Sequence, residues 1–323
     1  MKDLSLFQPS FDRTGLDLNI DNTLKNRKQD ILAYFRERAS ESLEVIRSTV
    51  GSNDYRGMAD AINKAVTKTR DSVISSVRQV AEAEKWKRSE LLETVLIVTY
   101  CSYVVMIDNR NEVWPYDYMA FSRRIGELWE PFCKLCFDYP INNISPFIPP
   151  LFSEVKRQLV KELKDYIATL PLDDEQRSEL IKYYEKVWTM VDAGQVQLEL
   201  DLHFVTKRSK INVDFKSGFG SNEKGNTNRL LLVASIYSNL PDNYKCVLLV
   251  RSEEDTNNNY FKTLKNSGIW EAHCGSAAYD KIYEYSGYDL KSFVQNNVDW
   301  DEDFTESTTR HFAEHELGTY LKW

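Results

Sequence analysis

Two segments of the chain alternate polar and apolar residues with a period of two. In 195–205 the polar positions include Asp201, and in 210–217 they include Asp214 and Lys216. Because successive side chains of a strand face opposite sides, each segment predicts a strand with one polar and one apolar face. Acids and a lysine gathered on one face could bind a divalent cation and act on a phosphate ester.

The short link between these segments, 206–209, predicts a hairpin and sets its register. Closing the hairpin there places Leu202 opposite Val213, so that the apolar faces match, which supports this register. The same register pairs the polar positions, Asp201 with Asp214 and Glu199 with Lys216.

Two carboxylates placed directly opposite each other repel, and a cation between Asp201 and Asp214 would offset that repulsion. Magnesium suits the position because it takes one or two carboxylates, keeps waters and binds phosphate oxygens. Lys216 emerges on the same face, where its ammonium could orient or deprotonate a water and neutralise charge on a phosphate. The same alternation also fits an ordinary hairpin with a solvated polar face, in which Glu199 and Lys216 form a surface ion pair.

An acid on one strand, followed about a dozen residues later by Asp-x-Lys on the next, resembles the PD-(D/E)XK nucleases. The second motif here is Asp214-Phe215-Lys216, and Asp201 stands in the place of the first acid. Leu200 occupies the position of the proline that gives the family its name. The order helix, hairpin, helix, strand after residue 173 is also similar to the family core.

Within the family, the chain is most similar to type II restriction endonucleases, through the segments 116–130 and 257–282. The resemblance implies Mg²⁺-dependent hydrolysis of double-stranded DNA at a short specific sequence, leaving 5′-phosphate ends. It assigns Asp201 and Asp214 as metal ligands together with the backbone carbonyl of Phe215. It also makes Lys216 the catalytic lysine and Glu199 a further acid.

A loop rich in glycine and asparagine follows the second predicted strand. Gly218, Gly220 and Gly225 would permit close backbone approach to a ligand. Polar side chains of this stretch could contact phosphates or base edges, unless the loop is simply a flexible connection. These DNA-binding candidates are Asn222, Lys224, Asn226, Asn228 and Arg229.

Periodicity predicts a helical N-terminal half followed by alternating helices and strands. The helices are predicted at 23–50, 55–83, 88–107, 117–138, 152–169, 173–192, 227–239, 257–267, 276–286 and 289–297, and two further strands at 244–251 and 269–274. This pattern predicts an α/β fold with a restriction-endonuclease-like mixed central sheet flanked by helices. We expect a helical region over 1–172, for DNA gripping or dimerisation, and a catalytic core over 173–323. Palindromic DNA sites are matched by two-fold symmetric proteins, which implies a homodimer.

The composition is that of a globular chain, with 42% hydrophobic and 28% charged residues. The net charge of -8 counts against a nucleic-acid-binding protein, although a DNA cleft needs only local positive charge. Five cysteines, an odd number, indicate a reducing compartment and thus a cytoplasmic protein, with Cys133 and Cys136 as thiols of the core. No apolar run approaches the ~18 residues of a membrane helix.

Two alternative functions fit the same residues. A DNA repair or recombination nuclease of the same fold would use the same site on other DNA. A non-catalytic helical interaction protein would carry the hairpin incidentally. The pattern His311-x-x-Glu314-His315 matches inverted zinc peptidases, but little chain follows it to supply a third ligand.

Overall fold

The protein is described by a computed structural model over residues 17–51, 53–191, 197–220 and 223–323, with side chains for all of these except 188–191. These residues form a mixed α/β structure of twelve α-helices and one five-stranded sheet. The chain divides into two compact units, one made of residues up to Asn142 together with Ile282–Trp323, the other of Asn143–Lys281. The sheet belongs to the second unit.

The helices agree closely with the periodicity of the sequence. In chain order they are α1 Lys28–Thr49, α2 Tyr55–Ala83, α3 Arg88–Val113, α4 Tyr118–Asp138, α5 Phe152–Thr169, α6 Asp174–Val191, α7 Lys224–Ser238, α8 Asn259–Asn266, α9 Ser276–Ser286, α10 Leu290–Asn297, α11 Trp300–Asp303 and α12 Glu306–Glu314. The strands are β1 Ser145–Pro146, β2 Leu202–Val205, β3 Lys210–Lys216, β4 Tyr244–Val250 and β5 Trp270–Cys274.

Helix α3 is the core helix of the first unit and runs further than the predicted end at residue 107. Its last turns stay buried because their polar residues have partners: Asp108 accepts a hydrogen bond from the backbone N–H of Thr305 at 3.1 Å. Among the described helices, only α3 is long and apolar enough to cross a membrane, judged by length and composition. This corrects the expectation that no segment of the chain would have that length and composition. However, 83% of its most apolar window is buried within the protein, as in the core helix of a globular unit.

The sheet of the second unit has the order β1-β2-β3-β4-β5. Strands β1, β2 and β3 pair antiparallel, whereas β3, β4 and β5 pair parallel, with α7 and α8 as the crossover helices. The predicted hairpin register is confirmed, since Leu202 pairs with Val213. The sheet is therefore an antiparallel hairpin that continues into a parallel layer.

Strand β3 is covered on both faces, which contradicts the alternative of an ordinary hairpin with a solvated polar face. Asn212 and Asp214 are as fully buried as their apolar neighbour Val213. This follows from the position of β3 inside the sheet, because parallel layers are packed on both sides by their connections. The apolar side chains packed here include Leu198, Leu200, Leu230, Val233, Leu248 and Phe261.

Strand β2 is shorter than predicted and begins only at Leu202. Asp201 lies in a bend that precedes the ladder, so it has no backbone partner in β3, and the start of the predicted strand at 195 and 196 lies outside the described residues. The backbone leaves the ladder because the N–H of Leu200 donates to the ring of His203 at 2.9 Å. A side-chain acceptor here replaces a ladder hydrogen bond.

The units do not divide at the predicted boundary between residues 172 and 173. Strand β1 joins β2, so the chain enters the sheet-bearing unit at Asn143 and α5 lies within it. The last residues, from Ile282 onward, group with the helices of the first unit instead. Contacts that are distant in sequence cause both differences, and the periodicity of a segment does not report them.

Candidate active site

Asp214 is the centre of the candidate site, and its carboxylate is completely buried on β3. One oxygen, Oδ1, forms an ion pair with the ammonium of Lys216. The other, Oδ2, lies 3.4 Å from Nη2 of Arg229 on α7. A buried carboxylate is stable only when it is paired or protonated, and here two cations of the chain provide the pairing.

Asp201 reaches the same place by a different route from the one predicted. Its Oδ2 accepts a hydrogen bond from the backbone N–H of Phe215 at 2.7 Å. The carboxylate of Asp201 therefore takes the place of a backbone acceptor from β2. It lies next to Phe215, the residue that follows Asp214. The negative charge of Asp201 contributes to raising the pKa of Asp214, so the two carboxylates are close enough to interact.

Lys216 contacts both of the groups that were assigned to hold a metal with Asp201. Its ammonium pairs with Asp214 Oδ1 and donates to the carbonyl oxygen of Phe215 at 3.0 Å. The cation of this side chain thus lies between a carboxylate and a backbone carbonyl. The predicted pairing of Lys216 with Glu199 is wrong, because the ladder ends at Leu202 and Glu199 lies outside it, with an exposed side chain.

Burial raises the pKa of Asp214 from 3.8 to about 6. The nearby ammonium of Lys216 opposes this shift, the carboxylate of Asp201 adds to it, and Arg229 opposes it. The cost of burying the charge therefore exceeds the benefit of the two cations. A group in this state gains from any further positive charge placed beside it.

Two further residues, missed as functional from the sequence, hold the bend that carries Asp201. His203 accepts the N–H of Leu200 through Nε2, and its Nδ1 lies 2.8 Å from Oδ1 of the buried Asn212. The accepting Nε2 requires the tautomer with its proton on Nδ1, and burial lowers the pKa of the ring. His203 is thus a buried group that positions this bend. The register could have shown this, because His203 pairs with Asn212 across the hairpin.

The chain after Lys216 is fixed at its start. The N–H of Phe219 donates to Oδ1 of the buried Asn257 at 2.8 Å, and Phe219 itself is buried. At Gly218 a Cβ atom would lie 2.8 Å from Oγ of Ser252. The glycine therefore permits close approach between its own backbone and the segment that carries Ser252. Asn257 was missed because its partners are distant in sequence.

The DNA-binding candidates that the structure describes lie on a helix, including Lys224 and Asn226, which were assigned to a loop. Helix α7 begins at Lys224, three residues before the predicted start, and carries four of the five: Lys224, Asn226, Asn228 and Arg229. Lys224 and Asn228 are exposed, and Asn226 donates to Glu223 at 3.0 Å. Asn222 lies outside the described residues. Of these candidates, Arg229 is the one brought to the carboxylates.

The donor set of the site fits magnesium. The oxygens of Asp214, Asp201 and the Phe215 carbonyl are hard ligands of the kind that Mg²⁺ prefers, and Mg²⁺ takes only one or two carboxylates. Two of these groups, Asp214 and the carbonyl, are already in contact with the ammonium of Lys216. Across the described ranges, no cluster of three or more His, Cys, Asp or Glu side chains could hold a metal ion.

Three other features of the sequence have contacts that belong to the fold and lie outside the candidate site. Cys133 and Cys136 are buried free thiols of α4, as predicted. In the zinc-peptidase pattern, Nε2 of His311 lies 2.9 Å from the carbonyl of Tyr116. On α6, the helix that precedes the hairpin, the acid Glu185 pairs with Lys164 of α5 at 3.3 Å.

Comparison of the chain with family models, with curated proteins and with solved structures finds no match.

Proposed function

We propose that the protein is a Mg²⁺-dependent nuclease with a PD-(D/E)XK type of site. One observation carries the proposal: Asp201 and Lys216 both converge on the backbone of Phe215, immediately beside the buried Asp214. An acid from the neighbouring segment, an acid on the strand, a carbonyl and a lysine are thus assembled within one hairpin. The antiparallel pair that continues into a parallel layer is consistent with a restriction-endonuclease-like core.

In this proposal each residue has a chemical task. Asp214, Asp201 and the carbonyl of Phe215 would hold the metal. A Mg²⁺ ion held there would supply Lewis-acid chemistry to the phosphate and to an attacking water. Lys216, with its positive charge beside this position, orients the attacking water and neutralises charge that develops on the phosphate. Hydrolysis in this arrangement leaves a 5′-phosphate and a 3′-hydroxyl, as the family resemblance implies.

The more specific assignment is a type II restriction endonuclease that acts on double-stranded DNA at a short specific sequence. It is supported by the resemblance of residues 116–130 and 257–282 to those enzymes. A palindromic site is matched by two copies of the catalytic site related by a two-fold axis, so we propose a homodimer. The free buried thiols support the proposal of a cytoplasmic protein.

The experiment that tests the proposal is digestion of a plasmid of known sequence with the full chain and Mg²⁺. We expect discrete fragments from the wild type and none from Asp214→Asn. The amide is neutral, so it can neither neutralise a bound cation nor form ion pairs with Lys216 and Arg229. Asp280→Asn is the matched control, since Asp280 is an exposed acid of the same unit. A smear that still depends on Asp214 would favour the repair or recombination nuclease. Cleavage that is absent in the wild type, or unchanged in Asp214→Asn, would contradict the nuclease.

A further inference from the structure

Helix α7 holds Arg229 at the edge of the candidate site. Arg229 lies in the second turn of α7, and the next residue, Leu230, is completely buried. The carbonyl of Leu230 also accepts a hydrogen bond from Nε1 of Trp270 on β5 at 3.2 Å. The backbone at Arg229 is therefore fixed to the sheet, whereas 42% of its side chain is exposed to solvent.

The contact between Arg229 and Asp214 is loose. Nη2 lies 3.4 Å from Oδ2, at the long end of hydrogen-bond distances. The shorter contact of Asp214 is with Lys216, on the opposite oxygen. Among the described residues, Asp214 is the only side chain that pairs with Arg229. A guanidinium carries five N–H donors in a fixed fork, so this single contact uses little of its capacity.

Building on the nuclease function proposed above, we propose that Arg229 is a phosphate-binding residue that Asp214 retains while no divalent cation is bound. Once Asp214 is neutralised by a cation, its attraction for the guanidinium falls. The planar fork of Arg229 then pairs with two oxygens of a phosphate, the geometry for which arginine is suited. The same arrangement makes Arg229 a competitor of the divalent cation for Asp214.

Competition predicts an effect on metal binding without any DNA. We expect Arg229→Gln to bind Ca²⁺, a cation with the same preference for oxygen ligands, about threefold to fivefold more tightly than the wild type. The effect is small because the side chain is partly exposed and its charge is screened. Calorimetric titration of the full chain with Ca²⁺ measures it. Arg208→Gln, with the same charge change on an exposed residue at the far end of the hairpin, should leave the affinity for Ca²⁺ unchanged.

Phosphate binding predicts an opposite effect on DNA. In the presence of Ca²⁺, Arg229→Gln should bind a short duplex of mixed sequence more weakly, and the slope of log K against log salt should fall by about 1. Arg229→Lys keeps the charge and loses the fork, so it should retain the slope while binding more weakly than the wild type. Fluorescence anisotropy over a salt series gives both quantities, with the duplex checked for integrity by gel.

The two titrations separate this inference from the function on which it rests. A wild type that binds neither Ca²⁺ nor DNA overturns the nuclease, and this inference with it. A wild type that binds both, with Ca²⁺ affinity lost in Asp214→Asn, supports the site. In that case, an Arg229→Gln variant with unchanged Ca²⁺ affinity or an unchanged salt slope overturns the role of Arg229 alone.

Discussion

At the residue scale, Asp214 determines the electrostatics of the candidate site. It is completely buried, and its two oxygens face Lys216 and Arg229. Even so, burial dominates and raises the pKa of Asp214 to about 6. Proteins tolerate such costs at functional sites, where a strained or poorly solvated group serves binding or catalysis.

The raised pKa predicts a gain in stability when the charge of Asp214 is removed. The unfolded carboxyl titrates near 3.8 and the folded one at about 6, so between these pH values the folded state retains a proton that the unfolded state has lost. Stability from this group therefore falls as the pH rises through that window and stays low above it. Asp214→Asn should be more stable than the wild type by about 3 kcal/mol at pH 8, with little difference at pH 4.

Urea unfolding with a chelator present, at both pH values, measures this difference. Asp280→Asn provides the comparison, since its carboxylate is exposed and its loss should leave stability within about 0.5 kcal/mol of the wild type. An Asp214→Asn variant that is less stable than the wild type at pH 8 would show that the ion pairs outweigh the cost of burial.

The neutral ring of His203 supports a second prediction at this scale. The two ring nitrogens contact the N–H of Leu200 and the side chain of Asn212 at the same time. A glutamine side chain does not place an acceptor and a donor in the same two positions. We expect His203→Gln to lose about 1–3 kcal/mol of stability, because buried polar groups are left without partners. It should also lower cleavage by displacing Asp201. Urea unfolding and the plasmid assay measure the two effects. The exposed His315, changed in the same way, should alter neither.

At the element scale, the hairpin of β2 and β3 shows which parts of the site a sequence can predict. The pairing of Leu202 with Val213 follows from the turn length and from the alternation of apolar residues, both of which are local. The bend at Asp201 does not follow from them, because it depends on a side chain, His203, that competes with the ladder for the N–H of Leu200. Asp201 and Asp214 were thus predicted to be neighbours by strand pairing, although β2 begins only after Asp201.

Burial of the polar side of β3 was equally beyond the alternation pattern. Asn212 and Asp214 have the sequence signature of a solvated face, but β4 and the helices that pack on the sheet cover them. Local patterns report which residues share a face, and only the complete sheet decides whether solvent reaches that face. The first residues of α7, from Lys224 to Asn226, were assigned to a loop for a related reason, since glycine and asparagine are weak helix formers.

The segment after β3 gives a prediction that belongs to this scale. Asn257 fixes Phe219 through its Oδ1 and the carbonyl of Glu253 through its Nδ2, both at 2.8 Å. Asn257→Ala should release this segment, so that the Phe219 amide exchanges hydrogen at least about tenfold faster, the effect of ~1.4 kcal/mol in local opening. Hydrogen exchange measured by mass spectrometry tests it. Asn259→Ala, on an exposed position of α8, should leave exchange at Phe219 unchanged.

At the scale of the whole molecule, the charge of -8 and the candidate site have one consequence in common. An acidic chain repels DNA, and the two carboxylates of the candidate site add to that repulsion where the phosphate would lie. Meanwhile the cations that could attract a phosphate there, Lys216 and Arg229, are paired with Asp214. Without a divalent cation the protein should therefore bind DNA only weakly.

DNA binding by the intact chain should therefore depend on a divalent cation far more than on the overall charge of the protein. We expect the affinity for a short duplex, measured by gel shift, to rise by at least about tenfold when the chelator is replaced by Ca²⁺, a gain of ~1.4 kcal/mol. In Asp214→Asn the repulsion is already reduced and the cation has lost its ligand. The variant should hence bind DNA to the same extent with and without Ca²⁺. Equal binding by the wild type in both conditions would place the DNA-binding surface of this protein elsewhere than at Asp214.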